Sequence, residues 1–282
     1  DRDWSSDVCS SDLISKNKTV YDTGEFIFAN RKFRCWLPTG HKKVNFKRSI
    51  VESCDDYYYK TSYDVGINNI SETLRDLGLG QKTLIDLPDE HIGTVPNKAW
   101  KRKRFDQPWY VGETFISAIG QGYNLVTPIQ LAKYFAIFAH GHEVVPHFLK
   151  KMGNYEIKYQ AYDGLDPKYK KYLPLIRSAM YGACHDKRGT GTKYVQNSRY
   201  SLACKTGTAQ VSSISQTQKK RLKESELAYL NRSHSWFGAF FPYKKPKYVI
   251  VAIVEHGGYG GSTLGTLVAN TANYMHRLGY LK

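Results

Sequence analysis

The chain has 282 residues, of which 41% are hydrophobic and 14% aromatic, and its formal net charge is +16 at pH 7. This length and composition describe a globular protein with one large core or two modest ones, and they exclude a disordered chain. The basic residues are spread along the sequence without a zinc-finger, basic-zipper or RNA-binding motif, so the charge alone does not predict a nucleic-acid partner. An anionic cell envelope would attract a basic surface equally well.

The first 13 residues differ in character from the rest of the chain. Residues 1–13 contain Ser-Ser-Asp twice and show neither helical nor strand periodicity. This pattern is typical of a translated adapter remnant. Residues 1–13, with Cys9, are therefore predicted to be a non-native leader that is not part of the fold. We expect residues 14–282 to form one domain whose N-terminal part is missing from this chain.

The first half of the chain is predicted to contain short strands followed by helices. A turn is predicted at residues 21–24 and a strand at Glu25–Phe28. Apolar residues at helical spacing predict a helix over residues 44–63 and a second helix over 70–77. Residues 83–109 contain three prolines and are predicted to be irregular.

Helix and strand signals are clearer in the second half. Residues 115–123 are predicted to be extended and to end in a glycine-rich turn, after which Thr127 and Pro128 mark a helix start. Another helix is predicted over 174–185, and a charged, exposed helical insertion over 219–229. The remaining predicted elements are strands at 202–211, 235–241 and 247–255 and a closing helix at 262–278. Consecutive strands followed by a helix predict an α+β domain, with an antiparallel sheet flanked by helices.

The segment Lys205-Thr206-Gly207-Thr208 is predicted to be the edge strand of this sheet. Its glycine permits close approach of another backbone, and its lysine, two hydroxyls and exposed N–H groups suit an anionic, peptide-like ligand laid along the strand. The alternative is an ordinary strand with a glycine bulge, which a lone Lys-Thr-Gly would favour.

Several other motifs accompany this strand in a fixed order. They are residues 103–105 with 108–110, residues 120–123 leading to 127–131, residues 205–211 and residues 255–258. Together they resemble the transpeptidase domain of class B penicillin-binding proteins, and the elongation-type members in particular, from about residue 14 to the C-terminus. The resemblance implies the penicillin-binding or serine β-lactamase-like fold, here incomplete.

That family uses three active-site elements, namely Ser-x-x-Lys, Ser-x-Asn or Ser-x-Asp, and Lys-Thr/Ser-Gly. The third corresponds to residues 205–207, and the second to Ser53-Cys54-Asp55, at a turn after a helix. Ser15 and Lys18 match the first element by letters only, because a strand and turn follow them where the nucleophile needs a helix. We therefore expect the nucleophile segment to be missing from this chain.

The resemblance implies serine acyl transfer and a role for each matched residue. Ser53 would relay a proton, and Lys205 would hold positive potential in the site. The hydroxyls of Thr206 and Thr208 would bind the substrate carboxylate, while the backbone N–H of Thr208 would supply half of the oxyanion hole. For Ser53 and Asp55 the alternative role is capping of a helix end.

A second candidate site consists of Asp22, Cys35, His41 and Cys54. Two thiolates, an imidazole and a carboxylate form a tetrahedral zinc-ligand set, and a metal here would brace the Ser-x-Asp turn. Some elongation-type relatives carry zinc beside this motif, with a carboxylate at the position of Cys35. Two alternatives remain open: buried cysteines with a surface histidine, or a disulfide between Cys35 and Cys54. Cys204 is predicted to be an ordinary core residue.

The expected activity is peptidoglycan D,D-transpeptidation, with stem peptides ending in D-Ala-D-Ala as substrates and β-lactams as their mimics. The resemblance implies a periplasmic domain, an inner-membrane anchor outside this chain, a membrane glycosyltransferase of the elongation machinery as partner, and no nucleic acid. A serine β-lactamase or β-lactam sensor shares the three elements but does not need residues 120–131. A basic, non-enzymatic binding module is the other alternative.

Overall fold

The computed structural model describes residues 14–156, 164–212 and 222–281. The predicted leader at 1–13 and the first part of the charged segment at 219–229 lie outside the described residues. The described part of that segment forms 3₁₀ turns at Glu224–Glu226 and Tyr229–Asn231 instead of the predicted helix. In the three described ranges, none of the helices combines the length and the apolar character needed to cross a membrane.

Short hairpins precede a helical region, and a three-stranded sheet with a long helix closes the chain. The strands of the described residues are β1 (Thr19–Asp22), β2 (Glu25–Phe28), β3 (Arg31–Arg34), β4 (Lys42–Asn45), β5 (Lys151–Met152), β6 (Tyr155–Glu156), β7 (Ala203–Ala209), β8 (His234–Phe241) and β9 (Tyr248–Val254). The helices of the same ranges are α1 (Phe46–Val51), α2 (Asp55–Val65), α3 (Ile67–Asp76), α4 (Lys98–Phe105), α5 (Val111–Ala118), α6 (Pro128–His140), α7 (Pro167–Lys170), α8 (Leu173–His185), α9 (Thr192–Val195) and α10 (Gly260–Arg277).

The main sheet has the strand order β7-β8-β9, and both pairings are antiparallel. The predicted edge position of β7 is therefore confirmed, and so is the α+β class. Phe237 on β8 belongs to the core cluster that includes Leu264 and Val268 of α10. Phe240 of β8 and Phe135 of α6 belong to a second core cluster. The sheet therefore lies between α10 and α6.

The helix predicted over residues 44–63 is wrong, because the chain forms β4, α1, a turn and α2 there. Ser53 has a φ of 51°, a left-handed conformation that cannot continue a right-handed helix. The N–H of Cys54 donates to the carbonyl of Ser49 at 2.9 Å, which closes the turn. The helical spacing of apolar residues hides this break, since one left-handed residue does not change the pattern.

Two further predictions are wrong in the middle of the chain. The segment predicted to be irregular contains α4, whose first turn is capped by Asn97, with its side-chain oxygen 2.8 Å from the Trp100 N–H. The segment 115–123, which was predicted to be extended, contains the last residues of α5. The start of that helix is capped by Glu113. Its glycine-rich turn is confirmed. The helix starting at Thr127, the helix near 174–185, the three C-terminal strands and the closing helix are also confirmed.

Gly238 is required where α6 packs against β8. A Cβ atom at this position would overlap the ring of Phe135. We expect Gly238→Ala to lower the free energy of unfolding by about 1–3 kcal/mol, because the ring must move in a packed core. Urea denaturation monitored by circular dichroism measures the change.

Gly164→Ala is the matched control, because the nearest atom to a Cβ there is a carboxylate oxygen of Glu143 at 4.0 Å. Its stability should stay close to that of the unsubstituted chain. Equal stability of the two variants would show that the Phe135 ring does not need the space above Gly238.

Candidate active site

Ser53 and Lys205, 152 residues apart in sequence, meet in a buried contact. The Lys205 ammonium donates a hydrogen bond to the Ser53 hydroxyl and another to the carbonyl of Thr206 at 3.2 Å. Ser53 follows α1 and Lys205 lies on β7, and α8 packs against both of these elements. A Cβ at Gly182 of α8 would come within 2.8 Å of Val51, so this glycine allows α1 to approach.

The edge strand is also held by the Gly-Gln-Gly motif that follows α5. The side-chain amide of Gln121 donates to the carbonyl of Thr208 at 3.3 Å, across 87 residues. Gly120 and Gly122 on either side both have a φ of 74°, which a side chain would strain. Thr208 is buried, whereas Thr206 is partly exposed. Thr206 is therefore the more exposed of the two threonines.

Asp55, the third residue of the Ser-x-Asp motif, is the first residue of α2. Its carboxylate accepts a hydrogen bond from the backbone N–H of Trp36 at 2.8 Å. The indole N–H of Trp36 in turn donates to the carbonyl of Glu52 at 2.9 Å. These two bonds hold the Ser53 turn against the segment that follows β3.

Thr190 lies beside Thr206 and the Ser53 turn, although no sequence motif marks it. Its hydroxyl lies 2.9 Å from the hydroxyl of Thr206, and its backbone N–H donates to the carbonyl of Val51 at 3.2 Å. Arg188, two residues earlier, pairs with Glu52 at 3.3 Å. The only sequence signal is the threonine between two glycines in Gly189-Thr190-Gly191, which is typical of a close turn.

Asp22, Cys35, His41 and Cys54 converge in a buried cluster beside the same turn. One ligand atom from each lies within 4.8 Å of all the others. One carboxylate oxygen of Asp22 is 2.7 Å from the imidazole Nδ1 of His41 and 3.3 Å from the Cys54 sulfur. The Cys35 sulfur is 3.5 Å from the same imidazole nitrogen. The alternative of buried cysteines with a surface histidine is correct for Cys35 and Cys54, which are buried, and wrong for His41, which is buried as well.

Burial and hydrogen bonds act in opposite directions on the pKa values of this cluster. Burial alone would raise the pKa of Asp22, but hydrogen bonds from His41, Gly24 and Cys54 outweigh it and lower that pKa. Burial alone would lower the pKa of His41, whereas its bonds to Asp22 and Cys35 raise it to about 9. The bond with Cys54 lowers the pKa of Cys35 to about 7, and the pKa of Cys54 is raised by that bond and by burial.

The donor set of this cluster fits a tetrahedral metal site. It consists of two sulfurs, one imidazole nitrogen and one carboxylate oxygen, the set that zinc binds in proteins. The other carboxylate oxygen of Asp22 accepts from the Gly24 N–H at 2.7 Å, which orients the group as an outer-shell partner does. The Nε2 atom of His41 is buried and makes no hydrogen bond with the described residues. The imidazole therefore contacts Asp22 and Cys35 through Nδ1.

The cysteines pair differently from either expectation. Cys35 and Cys54 are free, so the predicted alternative of a disulfide between them is wrong. Cys204 is buried, but it is bonded to Cys184 with their Cα atoms 5.8 Å apart, so it is not an ordinary core residue. This disulfide joins α8 to β7 next to Lys205. The sequence separation of 20 residues carries no signal of the pairing.

We expect the double variant Cys184→Ala/Cys204→Ala to be less stable than the oxidised chain by about 2–4 kcal/mol, since a cross-link restricts the unfolded state. Denaturation with and without reductant measures the difference, and the variant itself should not respond to reductant. Peptide mapping should recover a linked 184–204 pair with alkylated Cys35 and Cys54. A linked Cys35–Cys54 pair would contradict the assignment.

A serine turn facing a Lys-Thr-Gly edge strand across a buried contact defines a penicillin-recognising acyltransferase class of site. Residues 10–273 match the penicillin binding protein transpeptidase domain, and the chain belongs to this family. The resemblance predicted from the sequence motifs is thereby confirmed, together with the fold.

Among curated proteins, the chain is 33% identical to the peptidoglycan D,D-transpeptidase MrdA of Haemophilus influenzae over 273 residues, which cover 94% of this chain and 42% of that protein. It is 34% identical to MrdA of Escherichia coli K12, with coverage of 94% and 43%. The chain therefore spans less than half the length of these relatives.

Among solved structures, the chain is similar to penicillin-binding protein PBP2 of Helicobacter pylori in its complex with MreC. The identity is 41%, the TM-score is 0.86, and the match covers 98% of this chain and 50% of that one. It is also similar to PBP2 of Pseudomonas aeruginosa in complex with WCK 5153, at 28% identity and a TM-score of 0.83, covering 96% and 56%.

Proposed function

We propose that this chain is the transpeptidase domain of a peptidoglycan D,D-transpeptidase that cross-links stem peptides. The observation that carries the proposal is the buried bond between Lys205 and Ser53, which unites two of the three family elements. In this reaction a serine attacks the D-Ala-D-Ala carbonyl and the terminal D-Ala leaves as its amine. The acyl group then passes to an amine of a neighbouring stem peptide, which releases the serine.

Ser53 is placed to move a proton between the nucleophile region and the leaving amine. Its oxygen accepts from the Lys205 ammonium, which leaves the hydroxyl proton free to be donated elsewhere. A buried cation next to the hydroxyl also favours developing negative charge on a bound substrate. We assign Ser53 as the proton relay and Lys205 as the positive charge of the site.

The edge strand serves as the substrate platform. Gly207 allows the peptide backbone to approach, Thr206 and Thr208 supply hydroxyls, and the N–H of Thr208 forms half of the oxyanion hole. The bond from Gln121 to the Thr208 carbonyl holds the next peptide unit of the strand. Asp55, bonded to the Trp36 N–H, holds the turn that carries Ser53 and has no assigned contact with substrate.

The nucleophile is proposed to lie upstream of residue 14 in the parent protein. Ser15 and Lys18 occupy an exposed turn, and the Lys18 ammonium pairs with Asp64 at 3.3 Å. A lysine engaged with a carboxylate on the surface is poorly placed to activate a serine. Residues 14–282 are accordingly proposed to be a transpeptidase domain that lacks its N-terminal part.

The function is tested by restoring the upstream coding sequence and labelling the protein with a fluorescent penicillin. We expect labelling that Lys205→Met slows by about 10²-fold or more, because it removes the cation next to Ser53. Lys244→Met, at an exposed lysine in the turn after β8, should label normally. Absence of labelling, with salt-sensitive DNA binding, would favour the basic binding module instead.

The enzyme alternative is a serine β-lactamase or β-lactam sensor. A β-lactamase does not need the segment 120–131, whereas here Gln121 contacts the edge strand directly, which favours the transpeptidase. The same labelling experiment separates the transpeptidase from a β-lactamase: a transpeptidase keeps the penicillin as a stable acyl group, and rapid hydrolysis would identify a β-lactamase.

The buried cluster is proposed to hold one structural zinc ion through Asp22, Cys35, His41 and Cys54. Zinc would supply the positive charge that keeps two thiolates and a carboxylate together in the protein interior. Cys54 directly follows Ser53, so a fixed position for its sulfur also fixes the turn that carries the relay serine.

We expect one zinc per chain by elemental analysis, and a chelator should lower the melting temperature. His41→Ala should lose the metal and match the chelated protein in stability. Cys35→Asp, which replaces a sulfur ligand by a carboxylate oxygen, should retain more metal than Cys35→Ala. A metal-free protein of unchanged melting temperature would refute the proposal.

The proposed setting is the periplasmic face of the inner membrane, with an anchor outside this chain. The proposed ligands are stem peptides ending in D-Ala-D-Ala and β-lactams, without nucleic acid, and the proposed partner is a membrane glycosyltransferase of the elongation machinery. A solved structure that is 25% identical to this chain, with a TM-score of 0.78, comes from a peptidoglycan synthase complex that coordinates polymerization and crosslinking. This likeness supports a glycosyltransferase as the partner.

A further inference from the structure

A pair of hydroxyls lies at the outer edge of the Lys-Thr-Gly strand. Thr206 and Thr190 place their Oγ1 atoms 2.9 Å apart, and both residues are partly exposed. Thr206 also lies next to the buried Lys205 ammonium, which donates to its carbonyl. The pair is therefore open to a ligand on one side and adjoins a cation on the other.

Each hydroxyl has one proton to donate and two sites that accept. In the structure the Thr206 hydroxyl donates to Thr190, and in this arrangement its proton is not available to a ligand. If the two hydroxyls rotate so that Thr190 donates to Thr206, the Thr206 proton is free to point outward, and its donation is strengthened by the hydrogen bond it accepts. A carboxylate, which only accepts hydrogen bonds and prefers strong donors, selects the second arrangement.

We infer that Thr190 is a positioning residue for carboxylate recognition. When the carboxylate binds, the two hydroxyls rotate so that Thr190 donates to Thr206, and the Thr206 hydroxyl is aimed at the terminal carboxylate of the D-Ala-D-Ala substrate. This inference rests on the proposed function, because it concerns the substrate of the same site.

The backbone around Thr190 holds its hydroxyl in place from three directions. Its N–H donates to the Val51 carbonyl at 3.2 Å, two residues before Ser53. The N–H of Gly191 donates to the Ala183 carbonyl of α8 at 2.9 Å. A Cβ on Gly191 would come within 2.9 Å of the Cys204 sulfur, so the loop packs directly on the disulfide. Thr190 thus bridges the element that carries Ser53 and the strand that carries Lys205.

The test measures binding of acetyl-D-Ala-D-Ala and of its C-terminal carboxamide to the chain by NMR titration. Binding does not require the nucleophile, and the carboxamide lacks the negative charge. Thr190→Val removes the hydroxyl at nearly constant volume, and Thr190→Ala is a second hydroxyl-free variant. Thr190→Ser restores the donor. Thr192→Val is the control, because the hydroxyl of Thr192, at the start of α9, donates to the Asp186 carbonyl at 2.6 Å.

We expect Thr190→Val and Thr190→Ala to weaken binding of the acid about five- to tenfold and binding of the carboxamide less than about twofold, because the hydrogen bond that is lost joins two uncharged hydroxyls. Thr190→Ser should bind as the unsubstituted chain does, and Thr192→Val should not change the acid-to-carboxamide ratio.

Three results would overturn the inference. An unchanged ratio in both hydroxyl-free variants, with a folded NMR spectrum, would remove Thr190 from carboxylate recognition while leaving the proposed function intact. A Thr190→Ser variant that behaves like Thr190→Val would assign the effect to packing. An unsubstituted chain that binds neither ligand would refute the proposed function together with the inference.

Discussion

The site depends on one buried contact, the bond between the Lys205 ammonium and the Ser53 hydroxyl. Burial of a charged group is costly unless it is hydrogen-bonded, so the fold must deliver the serine to the lysine accurately. The left-handed turn at Ser53 ends α1 at the right place, and the packing of both α1 and β7 on α8 sets the distance between the two elements. Gly182 permits the close approach of α1 on which this contact relies.

Polar groups support this contact from two sides. On one side, the cluster that contains Cys54 and the bond from Trp36 to Asp55 hold the segment around Ser53. On the other side, the Thr190 loop bonds to Val51 and Thr206 and packs on the disulfide of β7. Buried polar contacts of this kind favour one arrangement, because each broken bond would leave a further buried group without a partner. The contact between Ser53 and Lys205 is thus held in place by the fold itself.

Much of the fold follows from local sequence signals. Alternating and continuous apolar runs mark β7, β8 and β9, and Thr127 with Pro128 marks the start of α6. The errors also have local causes. A single left-handed residue at Ser53 divides a run with helical spacing. The helices α4 and α5 are only eight residues long, so their periodicity is weak, and α4 lies in the proline-containing region predicted to be irregular.

The sequence by itself determined the types of residue available for chemistry: a Lys-Thr-Gly strand, a Ser-x-Asp turn and four groups able to bind zinc. Only the tertiary structure decided which of them meet. Thr190 joins the site and Cys184 pairs with Cys204, although neither contact leaves a pattern along the chain. The physical reason is that such contacts depend on how α8 packs against α1 and β7, and packing is a property of surfaces that are distant in sequence.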